Sequence, residues 1–367
     1  MSVEDLPRLD RPSPAAARAG DTDRVDRALR CFRKAELSRR SKPGARYYAA
    51  DLTVRTLAMC GGYTLVITGS TAVGTAGAVL FALVCVSMVG SWFHDAVHGN
   101  VRGSRLKVEA ILRAGSAPIG LGPRWWFHKH VRLHHRYTGN PAFDPDIQFG
   151  HLGRVTREQP WQPLHRAQHL YMWFLLPFAT LNMLKPSEPW TVRRAAFAAA
   201  LGRQRRGWGW LLLADKYVPH LAVWLPVFLL QPAYRAWSAY LVFHLVAGTF
   251  ISLITQVQHN TDLAEHGPSS GAAEPLVSQV RRSTDVGHRK DFWYWLSGGT
   301  TYHVVHHVAP TLTFPELPGA TARLQRALND TGEQIRVHPG MWAAVRSHAR
   351  LIRALSLVPQ PEGREAR

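Results

Sequence analysis

The chain has 367 residues, of which 46% are hydrophobic, and carries a formal net charge of +19. On so apolar a chain a basic excess points to a membrane surface rather than to nucleic acid, because membrane proteins gather basic residues on their cytoplasmic side. Only seven of the 44 basic residues are lysine, and the three cysteines, Cys31, Cys60 and Cys85, have no metal or redox spacing, which argues against a disulfide framework.

The N-terminus, MSVEDLPRLDRPSP, mixes acidic residues with prolines and has no apolar core, so it does not read as a signal peptide. Residues 1–45 read as a disordered, basic N-terminal segment. From Thr56 to Phe93 no residue is charged. As helix, this run extends roughly 57 Å, close to two crossings of a ~30 Å hydrocarbon core. The small, turn-like stretch from Gly69 to Gly74 divides it, which predicts a transmembrane hairpin over 52–70 and 74–93. A third uncharged run, Ala167–Leu184, has the length of a span or of an interfacial element. Tyr217 to Thr261 is broken only by Arg235 and predicts a second hairpin, 217–233 and 236–258. The outer turns carry zero and one basic residue, so the positive-inside rule places both termini in the cytoplasm. The segment 321–367 alternates Arg with Leu and Ala and reads as a helical tail, exposed or on the membrane surface.

The histidines carry the chemistry. Of nineteen, His94 and His98 fall where the first hairpin re-enters the cytoplasm, and His259 closes the fourth span. His130, His134 and His135 follow in WWFHKHVRLHHRYTGN, and His303, His306 and His307 in YHVVHHVAP. Spacings of three and four place such residues on one helix face, with His130 and His134 aligned and His135 beside them. His128 is a rival for the place of His130, but lies six residues from His134 and off that face. Ala167–Leu184 cannot cross the membrane, because His303, His306 and His307 would then lie opposite the other sets. Neutral imidazoles ligate first-row transition metals, and eight or nine of them exceed a closed four-ligand zinc site. No Glu-x-x-His ligand pair occurs. An all-histidine set for two ions with open positions suits dioxygen activation by iron. His151, His165, His220, His338 and His348, each isolated, read as satisfied structural residues.

The three sets resemble the HxxxH, HxxxHH and HxxHH boxes of the membrane fatty acid desaturase/hydroxylase superfamily. The surroundings agree over Trp126–Thr138, Asp144 and Asp146, and Gly298–Pro310, and the resemblance covers about residues 50–320. It implies an all-α integral membrane protein with four transmembrane helices and a cytosolic helical cap, formed by residues 46–320. It implies a di-iron centre on the cytoplasmic face, held by His94, His98, His130, His134, His135, His303, His306 and His307, with His259 completing the set. It also implies an O2-dependent oxidoreductase that acts on a fatty acyl chain, whether on a lipid, CoA or a carrier protein. Electrons would come from a separate ferredoxin or cytochrome b5-type donor, in a bacterial inner membrane. Front-end desaturases replace the first histidine of the last box with Gln; here it is His303. They commonly carry a fused cytochrome b5 domain with an HPGG motif, which His338–Gly340 does not match. Asp95, Asp144 and Asp146 are candidates to orient ligand rings. Trp125, Trp126, Trp293 and Trp295 read as an interfacial belt rather than an acyl tunnel. Hydroxylation of an acyl chain or another hydrocarbon is the alternative outcome on this scaffold. A non-catalytic metal carrier is the rival from another class, favoured by the mid-span His244.

Overall fold

The computed structural model describes residues 19–39, 45–186, 208–267 and 275–357, and among these the chain is mostly helical. Four long helices form the apolar part: α2 (Ala45–Thr68), α3 (Thr71–Met88), α4 (Trp208–Leu230) and α5 (Ala233–His259), preceded by α1 (Ala19–Ser38). Among the described residues, three helical stretches are long and apolar enough to cross a membrane: Thr71–Val97, Gly209–Leu230 and Ala233–His259. α2 is as long, but carries Arg46, Asp51 and Arg55 in its first half. The helices start and end within a few residues of the boundaries expected from the sequence at most ends; α2 and α4 begin seven to nine residues earlier, where the charged residues before each apolar run are still helical.

α3 and α5 pack against each other through Phe81, Ala82, Phe243 and Ala247 in one core cluster, and both deliver histidines at their C-terminal ends. The run Ala167–Leu184 is broken into short helices, Gln168–Leu175 and Ala179–Met183, around the turn Leu176–Phe178. It lies against the middle of α5, where a side chain on Gly248 would meet Pro177 O at 2.1 Å. Both ends return to polar segments: Gln168 Nε2 donates to Arg154 O and Ile352 O, and the Tyr217 hydroxyl donates to Leu184 O.

The polar end is built from α6 (His303–Val308), α7 (Leu317–Leu328), α8 (Met341–Ser356) and a two-residue parallel pairing of β1 (Asp285–Val286) with β2 (Val337–His338). Two expectations are corrected here. The disordered segment 1–45 contains α1, whose Val25, Leu29 and Phe32 are buried against the α6–α7 cluster. Spacings of four and three form an apolar stripe that the surrounding charges obscure. Asp26 Oδ1 accepts from Val277 N at 2.9 Å, and Arg323 forms a bidentate pair with Glu36 at 2.6 and 2.7 Å, which fix the helix at both ends. The disorder expected for residues 1–18 lies outside the described residues. The tail is likewise packed: Met341, Ala344, His348, Leu351, Ile352 and Leu355 of α8 are buried.

Candidate metal centre

The first histidine set follows a local change of helix type. α3 passes at Val89–Phe93 into a π-helical turn before His94–Val97. Such turns add a residue to the hydrogen-bonded ring and often mark functional sites. This turn is pressed against the loop before α6: a side chain on Gly90 would meet Ser297 O at 2.1 Å, and one on Gly298, at φ +62°, would meet Ser91 N at 2.2 Å. The contact holds the first and third histidine sets in fixed relation.

The second set lies on a π-helix, Phe127–His134, continued by His135–Tyr137. This changes which rings converge. His130 and His135 come together with their Nε2 atoms 3.1 Å apart, while the His134 ring stacks on His130 at 5.4 Å and also faces His259 and His307. The expected alignment of His130 with His134 holds, and the i→i+5 bonding of the π-helix also brings His135 into register with His130. His128 stays outside the assembly, beside Phe127.

Among the described residues the nine histidines form two groups, bridged by a third set of His130, His134 and Asp146. His94, His98, His130, His135 and His306 make one; His134, His259, His303 and His307 make the other. Within each group the candidate ligand atoms all lie within 4.8 Å of one another. In the first, Nε2 of His130 is 2.9 Å from that of His94, and Nε2 of His135 is 3.0 Å from that of His306. In the second, Nε2 of His303 is 2.7 Å from that of His259 and 3.0 Å from that of His307. A metal–imidazole bond is about 2.1 Å, so neighbouring nitrogens around one ion fall about 3 Å apart. His98 Nε2 is buried with no hydrogen-bond partner. Crowded lone pairs and an orphaned ring nitrogen fit a site for two cations.

Burial pushes His98, His130, His135, His303, His306 and His307 well below the usual histidine pKa, and the neighbouring rings add to it. These rings are therefore neutral at pH 7, the form that ligates. At His134 burial acts the same way, but Asp144 and Asp146 outweigh it and raise the pKa.

The carboxylates divide. Asp144 Oδ1 accepts from His134 Nδ1 at 3.0 Å and is itself held by the N–H groups of Gly139 and Asp146. Asp146 Oδ2 lies 3.3 Å from His134 Nδ1 and Asp146 pairs with Lys129. Asp95 instead accepts from Phe314 N at 3.1 Å and orients no ring. Sequence reasoning passed over four positions. Gln279 Oε1 accepts from His307 Nδ1 at 2.9 Å, with Thr138 Oγ1 donating to the same oxygen at 2.9 Å. Arg282 O accepts from His259 Nδ1 at 3.0 Å. Asp285 Oδ1 accepts from Val304 N at 2.7 Å and so anchors the start of α6. Thr138 closes the family-like stretch Trp126–Thr138, whereas Gln279, Arg282 and Asp285 belong to no spaced motif and no signal in the sequence marks them.

The five isolated histidines each have a hydrogen-bond partner: His151 and His165 with Gln162, His220 with Ala117 O, His338 with Thr261 and His348 with Asn260 O. His244 donates from Nδ1 to Thr180 Oγ1, and joins no metal-holding group among the described residues.

A cavity of about 90 Å³ reaches both groups. Val86, Val89, Ile147, Ile251 and Ile254 line it, together with Trp126 and the rings of His94, His130, His134, His259 and His303. Trp126, expected in an interfacial belt, is stacked on His130 at 5.2 Å. Most of its exposed lining is apolar, as suits a hydrocarbon chain, although Asp146, Gln256, Gln258 and Asn260 also reach it.

A family model described as fatty acid desaturase matches residues 70–338, which include all nine histidines. The chain belongs to the fatty acid desaturase family. It is thus an oxidoreductase. Among its relatives, the sn-1 linoleoyl-lipid 6-desaturase of Synechocystis is 25% identical over 299 residues, 76% of this chain and 79% of that protein. The acyl-lipid (8-3)-desaturase of Physcomitrium patens is 25% identical over 70% of this chain, which spans only 55% of that longer protein. The ceramide hydroxylase of Caulobacter vibrioides is 24% identical over 85% of this chain and 90% of its own length.

Proposed function

We propose that this protein is a membrane-bound di-iron desaturase, which introduces a C=C double bond into the fatty acyl chain of a lipid, using O2 and electrons from a separate ferredoxin or cytochrome b5-type donor. The observation that carries the reading is the pair of histidine groups facing one apolar cavity. His94, His98, His130, His135 and His306 would hold one iron; His134, His259, His303 and His307 the other. Iron so held supplies the activation of O2 that hydrogen removal from an unactivated carbon requires. Two hydrogens leave the chain and, with two protons and two electrons, convert O2 to two waters. The protein's part is positional. Val86, Val89, Ile251 and Ile254 confine the acyl chain, Trp126 and His130 form one wall, and the apolar lining excludes bulk water. Asp144 and Asp146 hold His134 in place. In the membrane, α2 joins the three apolar helices as a fourth span, with both termini and the histidines on the cytoplasmic side.

Hydroxylation is the second reading, supported by the ceramide hydroxylase whose length this chain covers most fully among the relatives above. The two outcomes separate on product analysis. The protein is expressed with a ferredoxin and its reductase in a host lacking the product, and acyl chains are compared by mass spectrometry with those of His306→Ala. The expected result is a species lighter by two hydrogens, absent from the variant. A chain heavier by one oxygen and no alkene would establish the hydroxylase instead. Activity retained by His306→Ala would overturn the ligand assignment.

A further inference from the structure

The two histidine groups differ in what holds their rings. Ligation through Nε2 requires the ring proton to sit on Nδ1, and an acceptor there fixes both tautomer and orientation. In the four-histidine group three of four rings have one: His134 on Asp144, His259 on Arg282 O and His307 on Gln279. The acceptors are themselves braced, Asp144 by two backbone N–H groups and Gln279 by Thr138. In the five-histidine group Nδ1 of His130 and of His135 is buried with no partner, whereas in the four-histidine group this holds for His303 alone. Access differs too. The rings of His134, His259, His303 and His307 are all buried, whereas His98 and His135 are partly exposed.

Resting on the di-iron reading, we propose that the two sites are unequal: the four-histidine site retains its metal, the five-histidine site exchanges it, and Gln279 is a positioning residue for the retained ion. The five-histidine site has one ligand more, which acts in the opposite direction. Three acceptors, two of them braced and each worth about 10–100-fold in affinity, together with closure to solvent, outweigh it.

The test is metal loss from the purified, iron-loaded full chain after addition of a chelator, followed as iron per chain by plasma mass spectrometry. The parent should fall from two irons to one in a fast phase and to none in a slow one. His98→Ala should start without the fast phase. Gln279→Leu should speed the slow phase by about 10–100-fold and leave the fast phase unchanged, while Gln279→Glu, which keeps an acceptor, should restore slow loss. Loss of both irons in one phase from the parent, or a Gln279→Leu effect confined to the fast phase, would overturn the inference. A parent that never binds two irons would instead overturn the di-iron reading itself.

Discussion

At the scale of single residues, the centre depends on groups that never touch a metal. Asp144 is wholly buried and spends its oxygens on His134 and two backbone N–H groups. Asp144→Ala should therefore lower metal affinity by about 10–100-fold while the fold survives; competition with a chromogenic chelator measures it. His348, away from the histidine groups, gives a pH dependence. Burial lowers its pKa, although the bond to Asn260 O acts in the other direction. The folded state thus binds fewer protons than the unfolded one below the ordinary histidine range, so this contribution is present above about pH 6.5 and is lost as pH falls. Thermal unfolding in detergent should show stability declining from pH 7 to pH 5, and less steeply in His348→Gln. The box histidines were legible because close spacing of one rare residue type survives any local geometry. Gln279 and Asp285 were not, since each is a single polar residue far in sequence from the ring or helix it serves. Asp95 was misjudged for the same reason: adjacency to His94 said nothing about Phe314, 219 residues on.

At the scale of elements, helix type and packing decide the geometry. Nothing in the residue pattern marks the π-helices at Val89–Phe93 and Phe127–His134, which bring His135 as well as His134 against His130. Long uncharged runs made the apolar helices readable, because few other structures tolerate them. α1 was hidden by its own charges, with three buried apolar residues against many polar ones. Leu29→Ala should destabilise its docking by about 2–5 kcal/mol, since Leu29 is fully buried; hydrogen exchange over residues 19–38 would rise. Gly298→Ala should be harsher than an ordinary core overpacking of about 1–3 kcal/mol, because φ is positive and the new carbon meets backbone of Ser91. The expected readout is loss of the histidine assembly, seen as failure to bind metal, with the spans still inserted.

At the scale of the whole molecule, the helices bring four separate stretches of sequence together at one end, beside a cavity lined largely by apolar residues. The fourth span rests on α2. Cys60 lies exposed on its surface, and Cys31 is exposed on α1. In sealed vesicles a membrane-impermeant maleimide should label Cys31 from the cytoplasmic side only and should not reach Cys60 from either side. Labelling of Cys60 would remove α2 from the membrane. Most direct for the metal centre is the metal content of the protein purified from iron-replete cells. Two redox-active irons per chain, falling in both His306→Ala and His307→Ala, is the expected result. A parent that carries zinc, or a single iron unaffected by one of the two substitutions, would contradict a centre shared between the two histidine groups.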